Sequence, residues 1–124
     1  MTTVLIVDDE PDIVSTLRMV LQIEGYEVLD APNGRAALTK IAEVRPDIIL
    51  SDLMMPFMTG LELLAAVKEN PESRTIPVVL MSAGRPNVAE LVHPCDGFLA
   101  KPIGLDELLT TLAALLGRGA AIPP

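Results

Sequence analysis

Ile48-Ile49-Leu50-Ser51-Asp52-Leu53-Met54-Met55-Pro56 decides how this chain folds. Three consecutive apolar residues follow Pro46-Asp47 and precede a loop holding Pro56 and Gly60, a pattern that predicts a short strand buried on both faces. The run breaks at Asp52. A carboxylate therefore stands at the C-terminal end of a central strand, where open α/β sheets place their ligands. Taken alone, Asp52 could equally end a strand or solvate a turn, so its meaning depends on what ends the neighbouring strands.

Toward the N-terminus, Val4-Leu5-Ile6-Val7 is a β-branched run that stops at Asp8-Asp9-Glu10-Pro11, three acids and a proline suited to a helix start. Ile13, Val14, Leu17, Val20 and Leu21 recur at helical spacing until Gly25. Tyr26 to Ala31 predicts a second strand, Asn33-Gly34 a turn, and Ala37, Leu38, Ile41 and Ala42 a second helix. Toward the C-terminus, Leu61, Leu63, Leu64 and Val67 mark a third helix ending by Asn70-Pro71, and Pro77 to Met81 a fourth buried strand interrupted at Ser82-Ala83-Gly84. A meagre helix is expected over Pro86–Val92, then a fifth strand over Gly97–Ala100, cut off by Lys101-Pro102. Leu105, Leu108, Leu109, Leu112, Leu115 and Leu116 give a strongly amphipathic last helix. Five strands alternating with five helices predict a parallel sheet covered on both faces.

The 124 residues suit one domain with one core. Half are apolar, yet only Tyr26, Phe57 and Phe98 are aromatic, so Leu, Ile, Val, Ala and Met must build that core. A net charge of −8 opposes nonspecific binding to nucleic acid or anionic membranes. The single cysteine, Cys95, allows no internal disulfide, which suits a reducing cytoplasm. No secretory signal is recognisable at the N-terminus, and no uncharged apolar stretch approaches the roughly 18 residues of a membrane helix. The expectation is an acidic cytoplasmic domain over residues 1–117, with 118–124 a disordered tail or the start of a linker. A stand-alone regulator and a fragment of a longer one both remain open.

The odd-numbered strands all deliver charge to one sheet edge: Asp8 and Asp9 from the first, Asp52 from the third, Lys101 from the fifth. The fourth adds the Ser82 hydroxyl. Val7-Asp8-Asp9-Glu10, Ser51-Asp52-Leu53-Met54-Met55-Pro56 with Gly60, Ser82-Ala83 and Lys101-Pro102 together resemble the receiver domain of two-component response regulators, in its single-domain chemotaxis form. The resemblance runs from Thr3 to Leu116. It implies a flavodoxin-like (βα)5 doubly wound sheet of five parallel strands in the order 2-1-3-4-5.

By that resemblance, Asp52 is the phosphoacceptor, receiving a phosphoryl group from a phosphohistidine in a Mg2+-dependent reaction, with Lys101 and Ser82 assisting. Asp9, Asp52 and the backbone carbonyl of Met54 would ligate the Mg2+, with Asp8 acting through water. Ser82 and Phe98 would form the switch, Phe98 moving inward as Ser82 bonds the phosphoryl group. The resemblance also makes the bond to Pro102 cis, although only about 5% of X-Pro bonds are, and a cis bond would aim Lys101 into the site. Such a domain catalyses only its own phosphorylation and dephosphorylation. Its partners would be a sensor histidine kinase or histidine phosphotransfer protein and a downstream output protein or domain. A homodimer through the fourth helix, fifth strand and fifth helix is left open, and no direct contact with nucleic acid or membrane is expected. The residues agree on physical grounds: like-charged carboxylates 4 Å apart repel by about 4 kcal/mol at an effective dielectric near 20. A divalent cation relieves this, and hard oxygen ligands with open positions suit Mg2+.

Plainer readings stand beside these. Asp8 and Asp9 would favour a helix N-terminus by about 0.3–1 kcal/mol each. Lys101 could be a surface lysine, Ser82 a turn former, Phe98 core, His93 an exposed side chain, Cys95 a packed thiol, and Met54, Met55 and Met58 loop packing. A haloacid dehalogenase-type phosphohydrolase needs a second acid two residues after its nucleophile, where this chain has Met54. A flavodoxin-like nucleotide carrier would find Asp8-Asp9-Glu10 repelling its phosphate. A pseudo-receiver, a phosphorylation-independent binding module, usually lacks one of the acids or the lysine, and none is missing. Two departures from the family pattern matter. Ser82 and Lys101 are 19 positions apart, about one helical turn short, so the fourth helix should be mobile or irregular. Met54 and Gly84 offer no acid or amide to hold an attacking water, which predicts a long-lived phosphoryl group.

Overall fold

The computed structural model describes residues 2–83 and 95–117. The expected helix over Pro86–Val92, together with Gly84, His93 and the tail 118–124, lies outside the described residues. Five strands are present: β1 (Thr3–Val7), β2 (Glu27–Ala31), β3 (Ile48–Asp52), β4 (Val78–Ser82) and β5 (Gly97–Ala100). The described helices are α1 (Pro11–Ile23), α2 (Gly34–Val44), α3 (Gly60–Glu69) and α4 (Leu105–Leu115), the last being the expected fifth helix. All strand pairs are parallel, in the order β2-β1-β3-β4-β5.

Side-chain alternation along the strands divides the core in two. Leu5, Val7, Ile49, Val78 and Leu80 face α2 and α3, where Ala37, Ile41, Leu63, Leu64 and Val67 cover them. Val4, Ile6, Ile48, Leu50, Val79, Met81 and Leu99 face α1 and α4, covered by Leu17, Leu21, Leu108 and Leu112. Every residue of β3 and β4 is buried, whereas the edge strands β2 and β5 each keep an exposed residue. This explains the unbroken apolar run at 48–50: a central parallel strand has no solvent face.

Local chemistry fixes the ends. Pro11 opens α1 at its first turn. Asn33 and Gly34, expected as a turn, instead begin α2: Asn33 is its N-cap, its side chain accepting the Ala36 N–H at 2.9 Å. Thr59 and Glu62 form a reciprocal capping box at the start of α3. Ser82, expected to interrupt the fourth strand, is its last residue, because pairing with Ala100 extends the ladder by one. Lys68 fastens α3 to the approach of β4 and β5, donating to the carbonyls of Arg74 and Ile76 and to Asp96, which also accepts the Val78 N–H. No helix among the described residues is long and apolar enough to cross a membrane.

Candidate functional site

Strand register brings the charged residues together. Val7 pairs with Ser51, so Asp8 and Asp52, the next residues along, leave β1 and β3 at one level. Asp52 pairs with Met81, and one step on Ser82 pairs with Ala100, the residue before Lys101. The Lys101 N–H donates to the Ser82 carbonyl at 2.9 Å, tying the two strand ends. The Lys101–Pro102 peptide bond is cis.

The Lys101 ammonium lies 3.3 Å from Asp52 Oδ1, 3.3 Å from Asp8 Oδ2 and 3.8 Å from Glu10 Oε1. Asp8 and Asp52 are buried, at 2% and 6% exposure, so these carboxylates have given up most of their hydration. Asp8 Oδ1 is held by the Glu10 N–H at 2.9 Å. Burial raises the Asp52 pKa above 3.8 and the Asp8 charge adds to the rise, while Lys101 and the Leu53 N–H oppose it. Burial of the ammonium lowers the Lys101 pKa, but Asp8 and Asp52 outweigh that and hold it above 10.5.

Of the expected metal ligands, Asp8 and Asp52 come together with an acid not expected there. Carboxylate oxygens of Asp8, Glu10 and Asp52 all lie within 4.8 Å of one another, whereas Asp9 is exposed and outside that set. Glu10 was legible only as the third acid of its run. With Pro11 starting α1, Glu10 becomes the N-cap in extended backbone, and its carboxylate reaches the Lys101 ammonium. The Met54 side chain is exposed. Ser82 is buried at the end of β4, and Phe98 is half-buried against the α2–α3 side of the core. Cys95 is half-buried, and burial raises its thiol pKa.

The loop after Asp52 is fixed by close backbone contact. The Gly60 N–H donates to the Leu53 carbonyl at 2.8 Å. A Cβ at Gly60 would sit 2.5 Å from the Asp52 carbonyl oxygen and 2.9 Å from the Leu53 Cα, so only glycine fits. Beside Lys101, an apolar groove lined by Ile13, Thr16, Leu17, Ala83, Pro102 and Ile103 opens along α1.

Among the described residues, one ammonium answers two buried carboxylates at the carboxyl edge of a doubly wound sheet, the place where such folds bind their ligands. Residues 4–113 match the family described as "Response regulator receiver domain". The transcriptional regulatory protein KdpE of Mycobacterium tuberculosis is 38% identical over 124 residues, an overlap covering 98% of this chain and 54% of that protein. Among solved structures, the chemotaxis response regulator CheY4 of Vibrio cholerae is similar with a TM-score of 0.84 and 35% identity, covering 93% of this chain and 98% of that one. TrrA of Thermotoga maritima, solved in complex with Mg2+ and BeF, has a TM-score of 0.82 and 31% identity, covering 93% and 99% of the two chains. This chain belongs to the response regulator receiver domain family, whose members work as phosphorylation-activated signalling switches. It spans about half the length of the curated relatives it matches.

Proposed function

We propose that Asp52 is the phosphoacceptor, attacking the phosphorus of a phosphohistidine on a sensor kinase or histidine phosphotransfer protein. The carboxylate oxygen forms the new P–O bond, the P–N bond breaks, and the departing imidazole nitrogen keeps the electron pair. The observation that carries this reading is the Lys101 ammonium 3.3 Å from both Asp52 and Asp8. A fixed cation beside the nucleophile stabilises charge developing on the transferring oxygens, and burial makes it more effective. TrrA, a relative at 31% identity, holds Mg2+ and BeF, which supports the same chemistry here.

The donor set fits a hard divalent cation: two buried carboxylates and Glu10 face one ammonium, leaving net negative charge. Asp8, Asp9, Asp52 and the Met54 carbonyl would hold Mg2+, which when bound neutralises negative charge on the acceptor and the phosphoryl oxygens. Asp8 orients Lys101, and Ser82, at the adjacent strand end, bonds the phosphoryl group once it is on Asp52. Phe98 would follow Ser82 inward, changing the surface offered to a downstream output protein or domain. The cytoplasm is the proposed setting, and the expected dimer surface includes residues outside the described ones.

Incubation with Mg2+ and acetyl phosphate followed by intact mass measurement tests this. Uptake of one phosphoryl group by wild type and none by Asp52→Ala is expected. A wild-type chain that takes up nothing would leave only the binding-module reading.

A further inference from the structure

Among the described residues, Phe57 is the most exposed of the large apolar side chains, at 85%, and its φ is +69°. The Met58 N–H donates to the Pro56 carbonyl at 2.7 Å, so Phe57 is the centre of a three-residue turn with positive φ, the strained form of the γ-turn. Glycine and asparagine reach this φ easily, whereas a bulky aromatic does not. A lone exposed apolar side chain needs no account by itself. One held in a disfavoured backbone conformation beside a reactive group does.

The surroundings hold it there. Met55 is buried in the α2–α3 side of the core. Met58 packs over Gly34, where a Cβ would come within 2.8 Å of it, and Gly60 is locked against the Asp52 carbonyl. Between these anchors Pro56 and Phe57 are both exposed, and Phe57 is the bulky aromatic of the two, with the Met54 side chain, 70% exposed, on the same loop. Phe57 lies three steps along the chain from Gly60, so its backbone stands within about 11 Å of the Gly60 backbone packed beside Asp52. Because Asp52 is only 6% exposed, a macromolecular donor must press against this rim to reach it, while a small donor need not.

We propose that Phe57 is a specificity-determining contact for the phosphohistidine-bearing protein, a rigid aromatic knob that enters an apolar pocket next to the donor histidine. The inference rests on Asp52 as phosphoacceptor. An aromatic side chain with few rotatable bonds, already ordered by its loop, loses little freedom on binding and makes an efficient anchor. Its backbone strain is then retained for recognition at the expense of stability.

The test compares wild type, Phe57→Asn and Phe57→Tyr with three donors: acetyl phosphate, phosphoramidate (a small P–N donor) and a phosphohistidine-loaded kinase core that labels wild type. For Phe57→Asn, transfer from the kinase core should fall at least about tenfold with the small donors unaffected, and Tm should rise by about 3 °C. Phe57→Tyr should keep most of the protein-to-protein transfer. Unchanged transfer from the kinase core overturns the proposal, as does an equal fall with all three donors, which would make Phe57 a support of the acceptor itself. A shift of Phe57→Asn in oligomeric state would assign the knob to a second copy of the chain and equally overturn it. If wild type takes no phosphoryl group from any donor, the phosphoacceptor reading falls first, and this one with it.

Discussion

Lys101 at the end of β5 holds its ammonium 3.3 Å from the Asp52 carboxylate at the end of β3, with β4 between the two strands. Contact across an intervening strand requires a long side chain, and the stem of Lys101 is largely buried in making it, its side chain only 18% exposed. Replacing Lys101 by Gln leaves Asp8 and Asp52 facing each other without their cation. Removing one partner of a buried pair costs about 3 kcal/mol. Thermal unfolding without divalent ions should show that loss, and added Mg2+ should restore part of it. No change in Tm would mean that Lys101 is not what offsets the repulsion.

The same pair fixes a pH dependence. Asp52 titrates above 3.8 in the folded protein, so over that window the folded state binds more protons than the unfolded one. Stability from this group therefore falls as pH rises through the window, and the penalty is constant above it. Lys101 acts at the other end: its folded value lies above 10.5, so its contribution is present below 10.5 and lost as pH climbs through the folded value. Metal-free Asp52→Asn should be more stable than wild type at neutral pH, by about 4 °C in Tm. That gap should close as pH approaches 3.8. Equal melting temperatures at pH 7 would contradict the cause assigned to the shift.

Gly60→Ala tests the fixed loop. Its Cβ would meet two backbone positions, the Asp52 carbonyl and the Leu53 Cα, neither of which can swing aside as a flexible side-chain end could. A loss of about 2–3 kcal/mol is expected, with slower phosphoryl uptake because the strand end carrying Asp52 is displaced. Denaturant unfolding and acetyl phosphate labelling read the two effects.

The sheet was legible because central strands must be apolar on both faces, so 48–50 and 78–81 stand out against α1 to α3, whose apolar residues recur at helical spacing. The gathering of Asp8, Asp52, Ser82 and Lys101 followed from topology, since parallel strands all end at one edge. The details beyond the strand ends were not legible. After Val7 the period-two alternation stops, and loop dihedrals decide that Asp8 turns inward, Glu10 approaches Lys101 and Asp9 faces solvent. Pro56-Phe57-Met58 contains no Gly or Asn to signal a positive φ. Ser82 looked like loop chemistry, and only the partner strand shows that the ladder continues through it.

Asp9 and Glu10 can be separated by metal affinity. Mg2+ usually keeps several waters when bound, so the proposed site would draw on groups open to solvent, and the exposed Asp9 carboxylate would be one of its oxygen donors. Glu10 is close to Lys101 and competes for the ammonium instead. Calorimetric titration with Mg2+ should show Asp9→Asn weakened by about tenfold or more and Glu10→Gln by less than about threefold. The reverse order would make Glu10 the ligand.

Ser82→Ala separates the chemistry from the switch. The hydroxyl is buried at the end of β4, and the Ser82 carbonyl, which anchors the Lys101 N–H, is unaffected by the substitution. Phosphoryl uptake from acetyl phosphate should therefore persist. A hydrogen bond from a hydroxyl to a charged phosphoryl oxygen contributes about 1.5–3 kcal/mol, whereas a full swing from 1:99 to 99:1 needs about 5.5 kcal/mol. Without Ser82, Lys101 and the burial of Phe98 must supply the whole difference, and the population of the activated state should drop sharply. Hydrogen exchange over β5 and α4, compared before and after phosphorylation, should change strongly in wild type and little in Ser82→Ala. An undiminished response in the variant would place the switch elsewhere than at the Ser82–Phe98 pair.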